Sequence, residues 1–181
     1  VIDYLACILI KLIGPLVRSL PLSASFFLGR RLGELFYYFD FKHKAIAYSN
    51  IKTAFGRQLS CPELSRLTRN FYRAFGQNLI EIFFIPLVEK EYLKKYIEID
   101  GLEYIKEAFK RGKGVILLGI HEGGWELSNI ISAQLGFTFR LFIREQRYAR
   151  LNNLLNKYRR QKGCRIIQKG NQLRQLIEAL K

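Results

Sequence analysis

Apolar residues dominate the first 40 positions of the chain and recur there at helical spacing. Residues 4–17 (YLACILIKLIGPLV) carry one charge, Lys11, and contain Gly14 and Pro15. The stretch is shorter than the ~20 apolar residues that a perpendicular membrane span requires. We therefore expect a first helix that is broken at Gly14 and Pro15 and does not cross a bilayer.

A second apolar segment, residues 23–39, mixes aromatic residues with arginines. Its apolar residues are Phe26, Phe27, Leu32, Leu35, Phe36 and Phe39, set against Arg30, Arg31 and Glu34. This composition is typical of a helix lying in a membrane interface, and it fits a pair of core helices equally well. On the first interpretation, residues 1–40 are apolar, membrane-associating helices, and residues 41–181 form a second domain.

Helical periodicity continues through residues 41–86. Residues 41–56 predict a helix closed by Gly56, and Ser60 with Glu63 has the spacing of a capping box at the start of the next helix. This long helix is expected to end near Pro86. Its apolar stripe predicts the buried face, which consists of Leu64, Leu67, Phe71, Phe75, Leu79 and Ile82.

From residue 96 onward, strand-like and helix-like runs take turns. The strand-like runs are residues 96–100, 115–120, 137–143 and 165–167, and the helix-like runs are 102–111, 125–135, 149–161 and 171–180. The run at 115–120 (VILLGI) predicts a strand buried on both faces. The alternation predicts an α/β fold in which helices layer a sheet. Because the chain has no methionine, begins at Val1 and ends inside an amphipathic pattern, we expect a fragment that lacks a start and a later C-terminal portion.

The chain is strongly basic. Thirty Lys and Arg residues against fifteen Asp and Glu give a net charge of +15, which favours nucleic acid, anionic headgroups, phosphorylated substrates or an acidic protein as partner. An apolar share of 49% excludes a disordered basic tail. The three cysteines, Cys7, Cys61 and Cys164, are odd in number and lack metal-ligand spacing, which suits a reducing cytosol.

The candidate chemistry lies in residues 121–126 (HEGGWE), directly after the buried run. A glycine pair allows a tight turn that brings His121 at a strand end close to Glu126 in the first turn of a helix. The carboxylate would then hold one ring nitrogen and leave the other free to take a proton. His43, between Lys42 and Lys44, has no evident partner. A lone histidine after a strand is more often structural, so the motif alone leaves both interpretations open.

A basic stretch follows the motif. Its cations are Arg140, Arg144, Arg147, Arg150, Lys157, Arg159, Arg160, Lys162 and Arg165, with Glu145 as the one acid among them. Part of it fits a solvated helix face, but its one-sided charge favours an anion-binding wall. Arg159 is expected at the rim of its helix, beside the inward positions Leu151, Leu154, Leu155 and Tyr158.

These motifs together resemble a known family. The chain carries, in order, Gly112-Lys113-Gly114 with the apolar run, His121-x-Gly123-x-Trp125-Glu126, then Arg144, and Arg159-x-x-x-Gly163. This set resembles the late acyltransferases of lipid A biosynthesis, the lauroyl and myristoyl transferases. Gly124 stands where the family usually has asparagine.

The resemblance implies an O-acyltransferase with an α/β sandwich of the glycerolipid acyltransferase type. It implies a thioester donor on acyl carrier protein or coenzyme A, and a hydroxyl of a phosphorylated glycolipid as acceptor. It also implies a peripheral or monotopic location at the cytoplasmic face of the bacterial inner membrane. His121 and Glu126 match the catalytic pair, whereas Gly123, Trp125, Arg144 and Arg159 match substrate-contacting positions.

No cofactor, metal or nucleic-acid partner is expected on this interpretation. Two rival functions are weighed against it. A basic nucleic-acid-binding protein would use the arginines with Tyr148 and Tyr158 as a stacking surface, but it leaves the apolar first 40 residues unexplained. A non-catalytic lipid-binding relative would keep the fold and lose the chemistry.

Overall fold

Helices make up most of the described chain, and two short strands form a sheet. The structure is a computed structural model that describes residues 2–145, 147–168 and 173–180. The helices are α1 (Ile2–Ser19), α2 (Leu22–Phe39), α3 (Phe41–Phe55), α4 (Cys61–Glu81), a 3-10 helix (Ile82–Leu87), α5 (Lys90–Tyr96), α6 (Leu102–Lys110), α7 (Trp125–Ala133), α8 (Ala149–Gln161) and α9 (Leu173–Leu180). The strands are β1 (Arg140–Ile143) and β2 (Arg165–Gln168). The predicted start of the last helix at residue 171 lies outside the described residues.

The first helix is continuous, which corrects the predicted break at Gly14 and Pro15. Proline removes one backbone donor from a helix interior, yet α1 runs through it to Ser19. The Phe83 ring lies close to the helix at this point, since a Cβ added to Gly14 would be 3.5 Å from it. The Arg18 guanidinium also donates to the Phe83 carbonyl at 3.1 Å. No helix in the described ranges is both long enough and apolar enough to cross a membrane.

Helices α2 and α4 approach each other through glycines. Gly29 and Gly33 on α2 are buried against Gly76 and the Tyr72 backbone on α4. A Cβ atom on Gly33 would collide with the Tyr72 carbonyl oxygen. The glycines therefore decide which faces of these two helices meet.

The buried face of α4 is rotated from the predicted one. The buried positions are Leu64, Thr68, Tyr72, Gly76 and Ile80, whereas Leu67, Phe71, Phe75 and Leu79 are exposed. The prediction was wrong because it ranked faces by apolar side chains, and the close backbone contact at Gly76 selected a neighbouring face. The predicted helix start is confirmed, since the Glu63 carboxylate accepts from the Ser60 backbone at 2.8 Å.

The two strands form one parallel βαβ unit. Arg140 pairs with Arg165 and Ile143 pairs with Gln168, and α8 makes the crossover between the strands. Parallel neighbours need such a crossover, so this small sheet is consistent with the predicted α/β class. The larger layered sandwich stays a prediction.

Two predicted strands are absent from the described chain. Residues 97–99 follow α5 without regular structure, and residues 115–120 form no ladder. The side chains of Ile116, Leu118 and Ile120 are 76%, 93% and 75% exposed instead of buried. A strand of this kind needs neighbours on both edges, and within the described residues β1 and β2 pair only with each other.

The chain divides into two compact units. One combines Val1–Leu12 with Phe84–Lys181, and the other is Ile13–Phe83. Within the first unit, the Asp3 carboxylate accepts hydrogen bonds from the backbone nitrogens of Arg150 and Leu151 at 2.9 and 3.0 Å, at the start of α8. The boundary predicted at residue 40 separates membrane-associating helices from a second domain. Because it concerns membrane association, it stays a prediction.

Candidate active site

The His-Glu-Gly-Gly-Trp-Glu segment forms the turn into α7. Gly123 has a φ of 55°, a left-handed conformation that favours glycine. Its carbonyl accepts from the Trp125 backbone nitrogen at 3.0 Å. The predicted tight turn is therefore present, although Gly124, with a φ of −79°, does not need the freedom of glycine.

His121 lies on the exposed side of this turn. Its ring is 5.7 Å from the ring of Trp125, centroid to centroid, with a tilt of 38°. No hydrogen bond joins His121 to a carboxylate within the described part of the chain. An exposed imidazole on a glycine turn is accessible to a substrate hydroxyl.

Glu126 is bound by Arg159 and not by His121. The Nε of Arg159 donates to one carboxylate oxygen at 3.0 Å, and a terminal nitrogen donates to the other. Both side chains are largely shielded, with exposed fractions of 4% for Arg159 and 15% for Glu126. A guanidinium fork matches a carboxylate in two places, so it competes well against a single imidazole bond. The catalytic roles of His121 and Glu126 stay predictions.

Arg159 is also held by its own helix. Its second terminal nitrogen donates to the Asn156 side-chain oxygen at 2.7 Å. The residue is 3% exposed, so the predicted rim position was wrong. A buried guanidinium is costly unless every donor group finds an acceptor, and here acceptors meet both its terminal nitrogens and its Nε.

The buried face of α8 is polar, and the sequence prediction missed it. Asn152, Asn156 and Arg159 are buried, whereas Leu151, Leu154 and Leu155 are only partly so. The three polar residues are spaced i, i+4 and i+7, which places them on one helical stripe. That spacing was the available signal, but polar stripes are ordinarily read as solvated faces.

The buried Cys164 lies next to this polar cluster. Its Sγ lies 3.7 Å from the Asn129 carbonyl, and its backbone nitrogen donates to the Arg159 carbonyl at 3.0 Å. Burial raises the pKa of the Cys164 thiol to about 11; the Glu126 charge adds to the rise and Arg159 opposes it. The thiol therefore stays protonated at neutral pH and is a poor nucleophile.

Comparison with known proteins decides the family. The family model described as bacterial lipid A biosynthesis acyltransferase matches residues 1–181. The chain belongs to this family. The resemblance deduced from the sequence motifs is thereby confirmed.

Two curated relatives agree with the family assignment. The chain is 28% identical over 109 residues to a lipid A biosynthesis palmitoleoyltransferase of Escherichia coli (strain K12). It is equally similar to a lipid A biosynthesis acyltransferase of Shigella flexneri. The matched region covers 60% of this chain and 35% of each relative. No solved structure matches the chain.

The other cations predicted to meet the substrate of this acyltransferase family are mostly exposed. Arg144 follows the end of β1 and is exposed, as are Arg147 and Arg160. Lys162 instead pairs with Glu89 at 3.3 Å. Two cations of the predicted anion-binding wall, Arg159 and Lys162, therefore form ion pairs within the chain. Binding of substrate phosphate by Arg144 stays a prediction.

The second histidine has a partner, contrary to expectation. The Nδ1 of His43 lies 2.8 Å from the Asp40 carboxylate at the start of α3. The Tyr72 hydroxyl donates to the same carboxylate at 3.2 Å. These hydrogen bonds, that of the His43 side chain above all, hold the pKa of Asp40 below its ordinary value. His43 thus belongs to a helix cap.

Proposed function

We propose that the protein transfers a fatty acyl group from a thioester to a hydroxyl of a phosphorylated glycolipid such as a lipid A precursor. Membership of an acyltransferase family of lipid A biosynthesis supports the reaction class. The site is assigned from one observation. The imidazole of His121 is exposed on a glycine turn, and the helix that follows directly carries Glu126 in its first turn, where the buried Arg159 fixes it.

In the proposed reaction, His121 acts as the general base. Its free ring nitrogen takes the proton of the acceptor hydroxyl while the oxygen forms a bond to the thioester carbonyl carbon. The tetrahedral intermediate collapses by breaking the carbon–sulfur bond, and the thiolate recovers a proton from the imidazolium. General-base assistance of this kind is typically worth 10²–10⁴-fold in rate.

We assign Glu126 and Arg159 a positioning role in this reaction. Their ion pair fixes the start of α7, and the backbone N–H groups at the start of a helix are suited to a developing oxyanion. Each of the three guanidinium nitrogens of Arg159 donates a hydrogen bond to Glu126 or Asn156. We therefore propose that it holds Glu126, whereas the exposed Arg144 and the turn residues Gly123 and Trp125 face the substrate.

From the same assignment we also propose an acyl donor and a cellular location. A net charge of +15 suits both an acidic acyl carrier protein and a phosphorylated acceptor, with acyl coenzyme A as the other donor. We place the reaction at the cytoplasmic face of the bacterial inner membrane, with peripheral or monotopic association. The absence of a spanning helix among the described residues is compatible with this location.

The test compares the two histidines. The protein is expressed in a bacterial host that lacks its own late acyltransferases, and the lipid A species are measured by mass spectrometry. We expect one added acyl chain with the wild type and with His43→Ala, and no addition with His121→Ala. Lipid A acylated equally by His121→Ala would remove this residue from the mechanism. Stable binding of lipid A without any acylation would indicate a non-catalytic relative.

A further inference from the structure

The first turn of α8 is capped by a residue from the first turn of α1. The Asp3 carboxylate accepts from the backbone nitrogens of Arg150 and Leu151 at 2.9 and 3.0 Å. These are the second and third residues of α8, the positions from which an N-cap side chain ordinarily accepts. Within the described residues, the side chain of Tyr148, directly before α8, makes no such bond. Asp3 therefore takes the place of the N-cap side chain.

The charges at this contact are complementary. The N-terminus of a helix carries a partial positive charge, and the first turn of α8 contains no acidic residue of its own. The Asp3 carboxylate supplies the negative charge. Tyr4 adds a second contact, since the Arg150 guanidinium lies 5.3 Å from its ring centroid. Two consecutive residues of α1 thus hold the start of α8.

The segment that leads into this capped turn carries two exposed arginines. Arg144 and Arg147 lie in the connection from β1 to α8. Strand pairing at Ile143 fixes the first end of the connection, and the Asp3 cap fixes its second end. Without the cap, the first turn of α8 would fray, and the longer connection would spread the two arginines over more conformations.

The other end of α8 serves a different part of the site. Arg159, in the last turn, fixes Glu126 behind the turn that carries His121. It lies roughly 15 Å along the helix axis from Ala149. Fraying at the start of α8 therefore disturbs the two arginines of the connection and leaves the histidine turn in place.

We propose that Asp3 and Tyr4 are positioning residues for the binding of the acceptor phosphate. They act through the start of α8, which holds Arg144 and Arg147 in an arrangement that meets phosphate oxygens. The inference deepens the proposed function and rests on it, because the acceptor is the phosphorylated glycolipid proposed above. The phosphate takes no part in the bond changes, so its contacts stabilise the ground state and the transition state alike. Loss of the cap should therefore raise KM for the acceptor and leave kcat nearly unchanged.

The first test is binding of a phosphorylated lipid A precursor in detergent micelles, measured by titration calorimetry well below the melting temperature of each variant. Asp3→Ala should weaken binding about 3–5-fold, because the cap sets the fraction of molecules in the binding-competent arrangement. Asp3→Asn should recover part of the affinity, since its amide oxygen still accepts one hydrogen bond. Asp100→Ala is the matched control, because it removes an exposed carboxylate away from α8. It should bind as the wild type does.

The contact of Tyr4 has its own pair of variants. Tyr4→Leu removes the aromatic face beside the Arg150 guanidinium and should weaken binding of the phosphorylated lipid about 2-fold. Tyr4→Phe keeps that face and should retain the wild-type affinity. An equal loss in both variants would remove the ring from the proposal.

Two further measurements separate positioning from a general loss of structure. For the same lipid after removal of its phosphates by phosphatase, Asp3→Ala and the wild type should have equal affinity. Limited trypsin digestion should cleave after Arg144 and Arg147 faster in Asp3→Ala than in the wild type or in Asp100→Ala, because the connection is less ordered. Where transfer is measured, KM should rise and kcat should stay within about 2-fold.

The outcomes distinguish this proposal from the proposed reaction. Wild-type affinity of Asp3→Ala for the phosphorylated lipid overturns the positioning role. So does an equal loss of affinity for the dephosphorylated lipid, or a lower kcat at unchanged KM, since either indicates a general structural role. If the wild type binds the lipid in a manner that depends on phosphate and on Asp3 but transfers no acyl group, the proposed reaction fails and the positioning role stands. Failure of the wild type to bind the phosphorylated lipid overturns both.

Discussion

Arg159 and Glu126 bind each other through two hydrogen bonds, which join the last turn of α8 to the first turn of α7. The pair links the helix that crosses between the two strands to the helix that follows the glycine turn. Because the arginine is buried and the carboxylate nearly so, removal of either partner leaves an uncompensated charge inside the protein.

The first prediction concerns this ion pair. Arg159→Met should lower the free energy of unfolding by about 3–5 kcal/mol, because Glu126 loses its partner while still shielded from water. Arg160→Met, at the exposed neighbouring position, should change it by less than ~0.5 kcal/mol. Urea unfolding followed by circular dichroism measures both.

A double variant separates the pair from the packing around it. Arg159→Met combined with Glu126→Leu should be less destabilised than the sum of the two single variants, since both charges are gone. Strict additivity would show that the two side chains do not interact in solution.

The second prediction concerns the glycine contact between α2 and α4. Gly33→Ala should destabilise the protein by about 1–3 kcal/mol, because the new methyl group meets the Tyr72 carbonyl and forces the helices apart. Gly119→Ala is the control, since nothing lies within 4 Å of the position of its added Cβ. In thermal unfolding, Gly33→Ala should therefore have a lower melting temperature than Gly119→Ala. Equal melting temperatures would mean that the helices are further apart than described.

The third prediction concerns the cap on α8. Asp3→Ala should lower the free energy of unfolding by about 1 kcal/mol, since two backbone donors at the start of α8 lose their acceptor. Asp100→Ala, at an exposed position, should be neutral within ~0.5 kcal/mol. Hydrogen exchange of residues 150 and 151 reports the change directly: faster exchange in Asp3→Ala alone is the expected result, and unchanged protection there would contradict the cap.

The fourth prediction concerns the two cysteines with opposite environments. Iodoacetamide should alkylate exposed Cys61 in the native protein and spare buried Cys164, as read by peptide mass spectrometry. Unfolding in denaturant should make both reactive. Rapid native labelling of Cys164 would show that the polar cluster opens.

The same thiol predicts a pH dependence. Its pKa is about 11 in the folded protein against an ordinary value of 9.0, so the folded state binds the proton more tightly. The resulting stabilisation is fully present below pH 9.0 and is lost as the pH rises through 11. Cys164→Ala should therefore lose less stability than the wild type over this window in urea unfolding series.

Local sequence signals predicted some helix boundaries but not the buried faces. They also failed at two ends, since α1 continues through Pro15 and α4 ends at Glu81 instead of near Pro86. The Ser60 and Glu63 spacing, the glycine closing α3 and the turn at Gly123 all depend on neighbouring residues, and the structure has each of them. The buried face of α4 depends on where α2 approaches, which no periodicity within α4 reveals.

In the candidate site, too, the locally determined feature was predictable and the long-range contact was not. Its turn was predictable because glycine freedom is local. The partner of Glu126 was not, because Arg159 lies 33 positions away and its burial requires Asn156 and Glu126 as acceptors. Similarly, the apolar run at 115–120 has strand composition, but a ladder also needs adjacent strands, and β1 and β2 pair with each other.

The contact between Asp3 and the start of α8 has a consequence for the order of folding during synthesis. Its partners are separated by 147 and 148 positions, so the ribosome must release most of the chain before they can meet. The unit Ile13–Phe83 is contiguous and can fold as soon as it emerges. Asp3 is thus synthesised well before its partners at the start of α8, and closing so long a loop is slow.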